Sequence, residues 1–454
     1  MRGFNKLGKI NLKAIVVVFS CVLVLQTCAL FDANKACAQD APSKPNIILI
    51  MADDIGFEAF GSYGNTNYET PRLDKMAGEG MQFNQCYAQP LCTPSRVKIM
   101  TGKYNFRNYE RWGYLNTNET TFAHLLKAEG YATCIAGKWQ LRGDEYAPYK
   151  AGFDEYHLWQ LTFTSYNERY KNPRVLENGK MIKYNNGEYG PQLHTEFIMD
   201  FIERHKDGPF LAYYPMALTH RPYVPTPDSD DYDEVEIPGS GNAHQTVSDP
   251  KYFKDEVAYV DRIVGEILDK VHELGIQDHT LIMFTGDNGT GKGVNSEIGA
   301  TVIPGMKGFT NKYGTHVPLI AYWAGQIKPG QVSESMIDFS DFLPTIAEVA
   351  NIELPETFVT DGTSFYPQFY GDYSNAKEWN YCYFDPKKSK YEKKVFVQNS
   401  HWKLYENGAL YNVKNDPYEK TSIAESELSP EVKLMKQQFQ NVLDDMKAAA
   451  SIKE

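Results

Sequence analysis

The sequence predicts an α/β protein: a large doubly wound mixed sheet flanked by helices, followed by a smaller C-terminal subdomain built on an antiparallel sheet. Three observations predict it. "PNIILIMADD" (45–54) and "TLIMFTGDNG" (280–289) are short, continuous apolar runs that end in acids, the pattern of strands buried on both faces of a parallel sheet. Between them, helix-like and strand-like stretches alternate. "TTFAHLLKAEG" (120–130) closes on Gly130 as a C-cap and runs into "YATCIAGKW", and "DEVAYVDRIVGEILDKVHELG" (255–275) keeps apolar residues at helical spacing before another glycine. After "DFLPTIAEVANIELP" (341–355) the texture turns to short aromatic strands, "KVFVQNSHWKLYENGALYNV", and a terminal helix from Pro430. We divide the chain into 1–38, an export signal, 39–350, the main domain, and 351–454, the subdomain.

The signal is read from order. Arg2, Lys6, Lys9 and Lys13 precede the apolar run "AIVVVFSCVLVL" (14–25), and the small-residue stretch "ACA" comes after it at 36–38, which places cleavage after Ala38. Twelve clean apolar residues fall short of the ~20 that a spanning helix needs, and no later stretch is longer. A soluble periplasmic or extracellular protein with no stable membrane span is expected; a membrane anchor, or a lipid attached at Cys28 of "LQTC", are the other ways to read the segment.

Cleavage removes five basic residues and one acidic one, taking the net charge from −12 to −16. Such a chain is a poor partner for nucleic acid, whose binding rests on neutralising phosphates. An anionic ligand must instead be met by a local cluster of Arg and Lys. Of seven cysteines, three lie in the signal, leaving Cys86, Cys92, Cys134 and Cys382. Their number and spacing fit neither a disulfide scaffold nor a zinc site.

Two places carry the candidate chemistry. In open α/β sheets the ligand crevice lies beyond the carboxyl ends of the strands, so the acids after residues 52 and 286 converge on one site if their strands are neighbours. The second place is "LCTPSRVKIMTG" (91–102). Thr93 suits an N-cap and Pro94 the first helical position, with Gly102 past the end. Cys92 then sits at a helix N-terminus with Arg96 one turn on, a nucleophile beside an oxyanion partner; a buried thiol before an ordinary helix gives the same spacing. "GDNGTGK" (286–292) imitates a phosphate-binding loop, but Gly293 stands where Ser or Thr is needed to hold magnesium, and no helical pattern comes after it.

"CTPSR" resembles the Cys-x-Pro-x-Arg signature of type I sulfatases, members of the alkaline phosphatase superfamily, and family-like stretches recur in order from residue 45 to about 424. The resemblance implies an alkaline phosphatase-like fold and conversion of Cys92 to formylglycine, an aldehyde that hydrates to a gem-diol and attacks sulfur. It further implies that Asp53, Asp54, Asp287 and Asn288, with residue 92 itself, bind a metal. Side-chain oxygens without zinc-type His or Cys spacing suit a hard cation, one Ca²⁺ rather than Mg²⁺. Arg96 assists at residue 92, Lys138 in "GKWQL" and Lys307 in "MKGFTNKYGTHVP" match lysines that hold sulfate oxygens, and His220 in "LTHRPYVP" matches the histidine that protonates the leaving alcohol. The implied activity is hydrolysis of a sulfate monoester, on a sulfated carbohydrate, after a formylglycine-generating maturation enzyme has acted.

The sequence departs from the family at Gln140, where histidine is usual and is assigned to deprotonating the hydrated aldehyde; glutamine does not take up a proton near neutral pH. Gln140 is expected at the substrate, and His316, standing where arginine is frequent, is a second base or substrate ligand. His401, Trp402 and Tyr405 either line the pocket or pack the small sheet. The rival readings are a phosphodiesterase or phosphonate hydrolase of the same superfamily, and a glycan-binding homologue that has lost turnover.

Overall fold

The structure, a computed structural model, describes residues 44–159, 161, 168–235, 237, 248–388 and 390–451. The signal segment 1–38, with Cys21, Cys28 and Cys37, lies outside them. The described residues belong to one compact unit, and none of their helices is long and apolar enough to cross a membrane.

A ten-stranded sheet runs, edge to edge, through Gln331–Ser333, Met81–Phe83, Leu319–Tyr322, Thr280–Gly286, Asn46–Ala52, Phe210–Pro215, Ala132–Lys138, Glu155–Trp159, Arg174–Glu177 and Lys180–Lys183. Its five central strands from Thr280–Gly286 to Glu155–Trp159 pair in parallel, whereas Leu319–Tyr322 and the last two strands pair antiparallel, so the sheet is mixed as expected. The two acid-terminated runs are direct neighbours: Asn46–Ala52 pairs with Thr280–Gly286 from Asn46↔Thr280 to Ala52↔Gly286. Asp53 and Asp287 therefore leave the sheet side by side.

Alternate residues of these strands face opposite layers. Ile48, Ile50, Ala212, Tyr214, Ile282 and Phe284 pack with Ile198, Phe201, Val260 and Ile263 from helices Gly190–His205 and Phe253–Glu273. On the other face Tyr213 meets Phe122 and Phe153 edge-on and stacked, beside helix Phe122–Ala128, which Thr121 caps through the backbone N–H of His124. The 255–275 helix thus begins two residues earlier than its sequence pattern suggested and ends before Gly275, whose φ of +70° needs glycine.

The C-terminal sheet takes Asn380–Phe384, Lys394–Gln398, Trp402–Tyr405 and Leu410–Asn412 in simple antiparallel order. Helix Pro430–Ser451 covers it with Phe439 and Leu443, and Tyr104 and Phe106 from the main domain enter the same cluster. The change of texture at 350 thus separates two sheets that share packing.

Candidate active site

Four adjacent parallel strands deliver their C-terminal residues to one crevice. Thr280–Gly286 is followed by Asp287 and Asn288, Asn46–Ala52 by Asp53 and Asp54, Phe210–Pro215 by the loop of His220, and Ala132–Lys138 ends on Lys138 itself. The His220 loop is tied to the sheet because Asp53 N–H donates to Leu218 O at 2.6 Å and Thr219 N–H to Asp53 O at 2.7 Å. Asp54 takes a left-handed φ of +62°, a conformation Asp tolerates better than most residues, and it turns the second carboxylate back into the site.

The cysteine helix spans Cys92–Thr101. Cys92, not Pro94, opens it, so Thr93 lies inside the first turn instead of capping it, and Leu91 precedes it in extended form. Gly102, at φ +66°, ends the helix as expected. Cys92 is 1% exposed, and its Sγ lies 3.4 Å from Asp53 Oδ1, 3.6 Å from Asp54 Oδ1 and 3.3 Å from Lys307 Nζ. Burial, then the Asp287 carboxylate, push the thiol well above its ordinary pKa despite both lysines. The helix N-terminus does not produce a thiolate here; as cysteine, residue 92 is protonated and poorly nucleophilic.

Around it three carboxylates face three cations. Lys138 Nζ is 2.5 Å from Asp53 Oδ2, Lys307 Nζ is 2.5 Å from Asp54 Oδ1, and Arg96 Nη2 is 3.1 Å from Asp287 Oδ2 and 4.0 Å from Asp53 Oδ1. Arg96 also donates to Lys138 O at 3.0 Å, which locks the guanidinium beneath the cluster. Burial would raise both carboxyls of the pair, but Lys138 and His220 beside Asp53, and Lys307 and Lys138 beside Asp54, hold them below the usual range. Burial and the neighbouring Asp53 carboxylate lift Asp287 to about 7.

Asn288 donates its amide to Asp54 Oδ1 at 2.9 Å and leaves its own Oδ1 buried without a hydrogen-bond partner among the described residues. An oxygen acceptor in that state, beside three carboxylates, fits a hard divalent cation. Asp53, Asp54, Cys92 and His220 also bring one ligand atom each within 4.8 Å of one another. His220 Nε2 lies 3.7 Å from Asp54 Oδ2, and its Nδ1 faces Arg221 O at 2.8 Å. Burial, then the lysines 307 and 138, keep this imidazole well below its usual pKa.

The structure thus brings together Cys92, Arg96, Lys138, His220, Lys307, Asp53, Asp54, Asp287 and Asn288. Gln140 comes two residues after Lys138 and is buried at a left-handed φ of +55°, with Oε1 lacking a hydrogen-bond partner among the described residues. His316 requires a correction. It opens the short strand His316–Val317 and is stacked between Phe57, 4.0 Å away, and Tyr87, 4.9 Å away, at 3% exposure. Burial holds its pKa well below the usual range, and rings on both faces pack it into the core beside the cluster, away from the exposed position a substrate ligand needs. Trp402 belongs to the core of the small sheet, Tyr405 gives its hydroxyl to Glu419 at 2.5 Å, and exposed His401 contacts Ser400 and Lys414, so these three serve the subdomain.

Three contributors were not among the expected site residues. Arg169 donates from Nη2 to His220 O at 3.1 Å and touches the ring's Nδ1 at 3.3 Å, fixing the histidine from a segment 51 residues away. Glu58 and Thr290 join the two acidic loops: the Thr290 hydroxyl donates to Glu58 Oε1 at 2.6 Å and accepts from Gly56 N–H at 3.0 Å. "GDNGTGK" is therefore the loop that carries Asn288 and Thr290. It leads into the hairpin Asn295–Ile298/Thr301–Pro304, not into a helix.

Residues 45–352 match the family model Sulfatase, and residues 306–448 match N-sulphoglucosamine sulphohydrolase, C-terminal. The chain is 31% identical to N-acetylgalactosamine-6-sulfatase of Mus musculus over 381 residues, covering 77% of this chain and 70% of the mouse protein. It is 28% identical to arylsulfatase A of Bos taurus, over 88% of this chain and 89% of the bovine one. Among solved structures, Ps i-CgsB in complex with k-i-k-neocarrahexaose superposes with a TM-score of 0.71 at 25% identity, covering 90% of this chain and 93% of that one.

Proposed function

The chain belongs to the sulfatase family, and on that premise we propose that it hydrolyses a sulfate monoester on a carbohydrate, with residue 92 acting as formylglycine. One observation carries the reading: Cys92 Sγ lies 3.4 Å from Asp53, 3.6 Å from Asp54 and 3.3 Å from Lys307, inside a buried cluster of three carboxylates and three cations. Burial pushes its thiol well above the ordinary range, which disfavours the thiolate. The aldehyde, once hydrated, supplies the oxygen nucleophile that the thiol does not. Cys92 is 1% exposed, so the maturation enzyme must meet the chain before the fold closes.

Asp53, Asp54, Asp287 and Asn288 would hold Ca²⁺, which supplies positive charge at the reacting oxygens. Lys138 and Lys307, each already on a carboxylate, hold and polarise the sulfuryl oxygens as charge builds on them. Arg96 fixes Asp287 and the Lys138 backbone, so the anion site keeps its shape. His220, with Nδ1 engaged at Arg221 O, presents Nε2 to the ester, and an incoming anion offsets the repulsion from Lys307 and Lys138 that adds to burial in disfavouring the charged ring. The protonated ring then gives its proton to the departing sugar oxygen. The N-terminal segment, read as a signal, places this work in the periplasm or outside the cell.

The test is Cys92→Ala in protein from the native host, with mass spectrometry of the wild-type peptide containing residue 92. The expected results are an aldehyde in place of the thiol and no sulfate release by the variant. Full activity in the variant removes the mechanism. An unconverted thiol supports the glycan-binding reading, and a preference for phosphodiesters in the same assay supports the phosphodiesterase one.

A further inference from the structure

The lysine-rich stretch "PKKSKYEKK" (386–394) is anomalous in a chain of net charge −12, and the catalytic cluster does not use it. The stretch leaves the C-terminal sheet after Phe384 and is pinned beside the active site by three contacts. Tyr109 donates its hydroxyl to Pro386 O at 3.1 Å. Tyr391 stands against Gly308, the neighbour of Lys307: a Cβ built there would lie 2.7 Å from the Tyr391 ring, so only glycine fits. Gly308 N–H in turn donates to Pro90 O at 2.9 Å, two residues before Cys92. Trp112 and Tyr391 pack on one apolar cluster with Leu91, the residue that leads into the cysteine helix.

The lysines here are not equivalent. Lys387 pairs with Asp385 at 2.5 Å, Lys393 with Glu406 at 4.0 Å and Lys394 with Glu392 at 3.4 Å. Neither Lys388 nor Lys390 has a carboxylate partner among the described residues; the Lys390 ammonium lies 5.4 Å from the centroid of the Tyr391 ring, and that of Lys388 lies 4.1 Å from the centroid of the half-buried Trp112 ring. Partial burial, then repulsion from Lys390 and Lys307, draw the Lys388 pKa below the ordinary lysine range. Trp112, through its cluster with Leu91, ties Lys388 to the segment that leads into Cys92. Arg96, Lys138 and Lys307 are paired with Asp287, Asp53 and Asp54, whereas Lys388 rests on an aromatic face.

We propose that Lys388, held on Trp112, forms a second anion subsite at the mouth of the active site, which binds a sulfate or carboxylate on the sugar unit adjoining the one whose ester is cleaved. The proposal rests on the carbohydrate reading above and narrows it to saccharides with acidic groups on neighbouring units. The ammonium takes the oxyanion, and the exposed part of Trp112 offers an apolar wall to the sugar ring. In an acidic protein a cation without a carboxylate partner also orients an anionic chain as it arrives.

The test uses the full-length matured enzyme and Lys388→Gln, Lys388→Arg and Trp112→Ala. The probes are N-acetylgalactosamine 6-sulfate against the chondroitin 6-sulfate disaccharide, which adds a uronate, and monosulfated neocarrabiose against disulfated neocarratetraose. For K388Q, KM is expected to rise about tenfold on the doubly anionic member of whichever pair is turned over, with kcat within about twofold, and to stay unchanged on the singly anionic one. K388R keeps the preference, W112A weakens it, and high salt removes it in the wild type. Equal effects on both members of a pair, or none, overturn the subsite. If no probe releases sulfate, the proposed reaction fails while calorimetric binding of the same pairs to Cys92→Ala still decides the subsite; no preference for the doubly anionic member there overturns it.

Discussion

At position 140 a glutamine occupies a buried, left-handed backbone position two residues beyond Lys138, with an acceptor oxygen that finds no partner among the described residues. A non-glycine residue in that region is costly and is retained where the surroundings demand it. Glutamine orients by hydrogen bonding but cannot accept a proton, so in the proposed reaction the step that expels sulfate lacks a base at this position. Gln140→His, at a φ that histidine tolerates, is expected to raise kcat at neutral pH by about 10- to 100-fold, within the span of general-base assistance; an unchanged or lower kcat shows that position 140 does not limit turnover. At this scale the sequence was informative about identity and weak on environment. Cys92, Arg96, Lys138 and Lys307 were legible because their types in that order match a known signature. That Thr93 falls inside the helix, that the Cys92 thiol is protonated and that His316 is sealed between two rings were not, because each depends on neighbours distant in sequence.

The loop segment Gly286–Lys292 joins the two acidic strand ends through Thr290, whose carbonyl also accepts Lys307 N–H at 3.0 Å, while Gly291 N–H reaches Asp54 O at 3.3 Å. Its partner Glu58 is fully buried, and burial lifts that carboxyl from 4.5 to about 7 despite the Thr290 hydroxyl. Between those two values the folded chain holds a proton that the unfolded chain releases, so this group makes stability fall as pH rises through the window. Glu58→Gln cannot release that proton. Its stability relative to wild type is expected to be greater at pH 8 than at pH 5 by about 1–3 kcal/mol, measured by urea unfolding at both values; a pH-independent difference shows that Glu58 is ionised in the fold. The strands and long helices of these elements were legible from period and glycine stops, since burial of one face imposes the pattern. The loop's resemblance to a phosphate cradle was misleading until the hairpin after it was seen, because a short glycine-rich string does not specify the element it leads into.

Across the whole molecule, residues from six separate stretches meet at one point, and three buried carboxylates there are balanced by three cations within the cluster itself. A divalent cation bound by the carboxylates and Asn288 couples directly to folding. Calcium at a hundred times its dissociation constant is expected to stabilise the protein by about 2.7 kcal/mol, read as a rise in Tm that a chelator reverses and Asp287→Asn abolishes. No rise with calcium removes the metal assignment. The sequence by itself determined the fold class, the residue types of the site and the family, because strand burial, helix period and an ordered signature are all local properties of the chain. Only the tertiary structure decided that the two acid-bearing strands are neighbours in register, that Arg169 supports His220, and that Lys388 rests on Trp112 from the far end of the chain. Register and charge compensation are set by contacts between segments tens to hundreds of residues apart, and no local pattern encodes them.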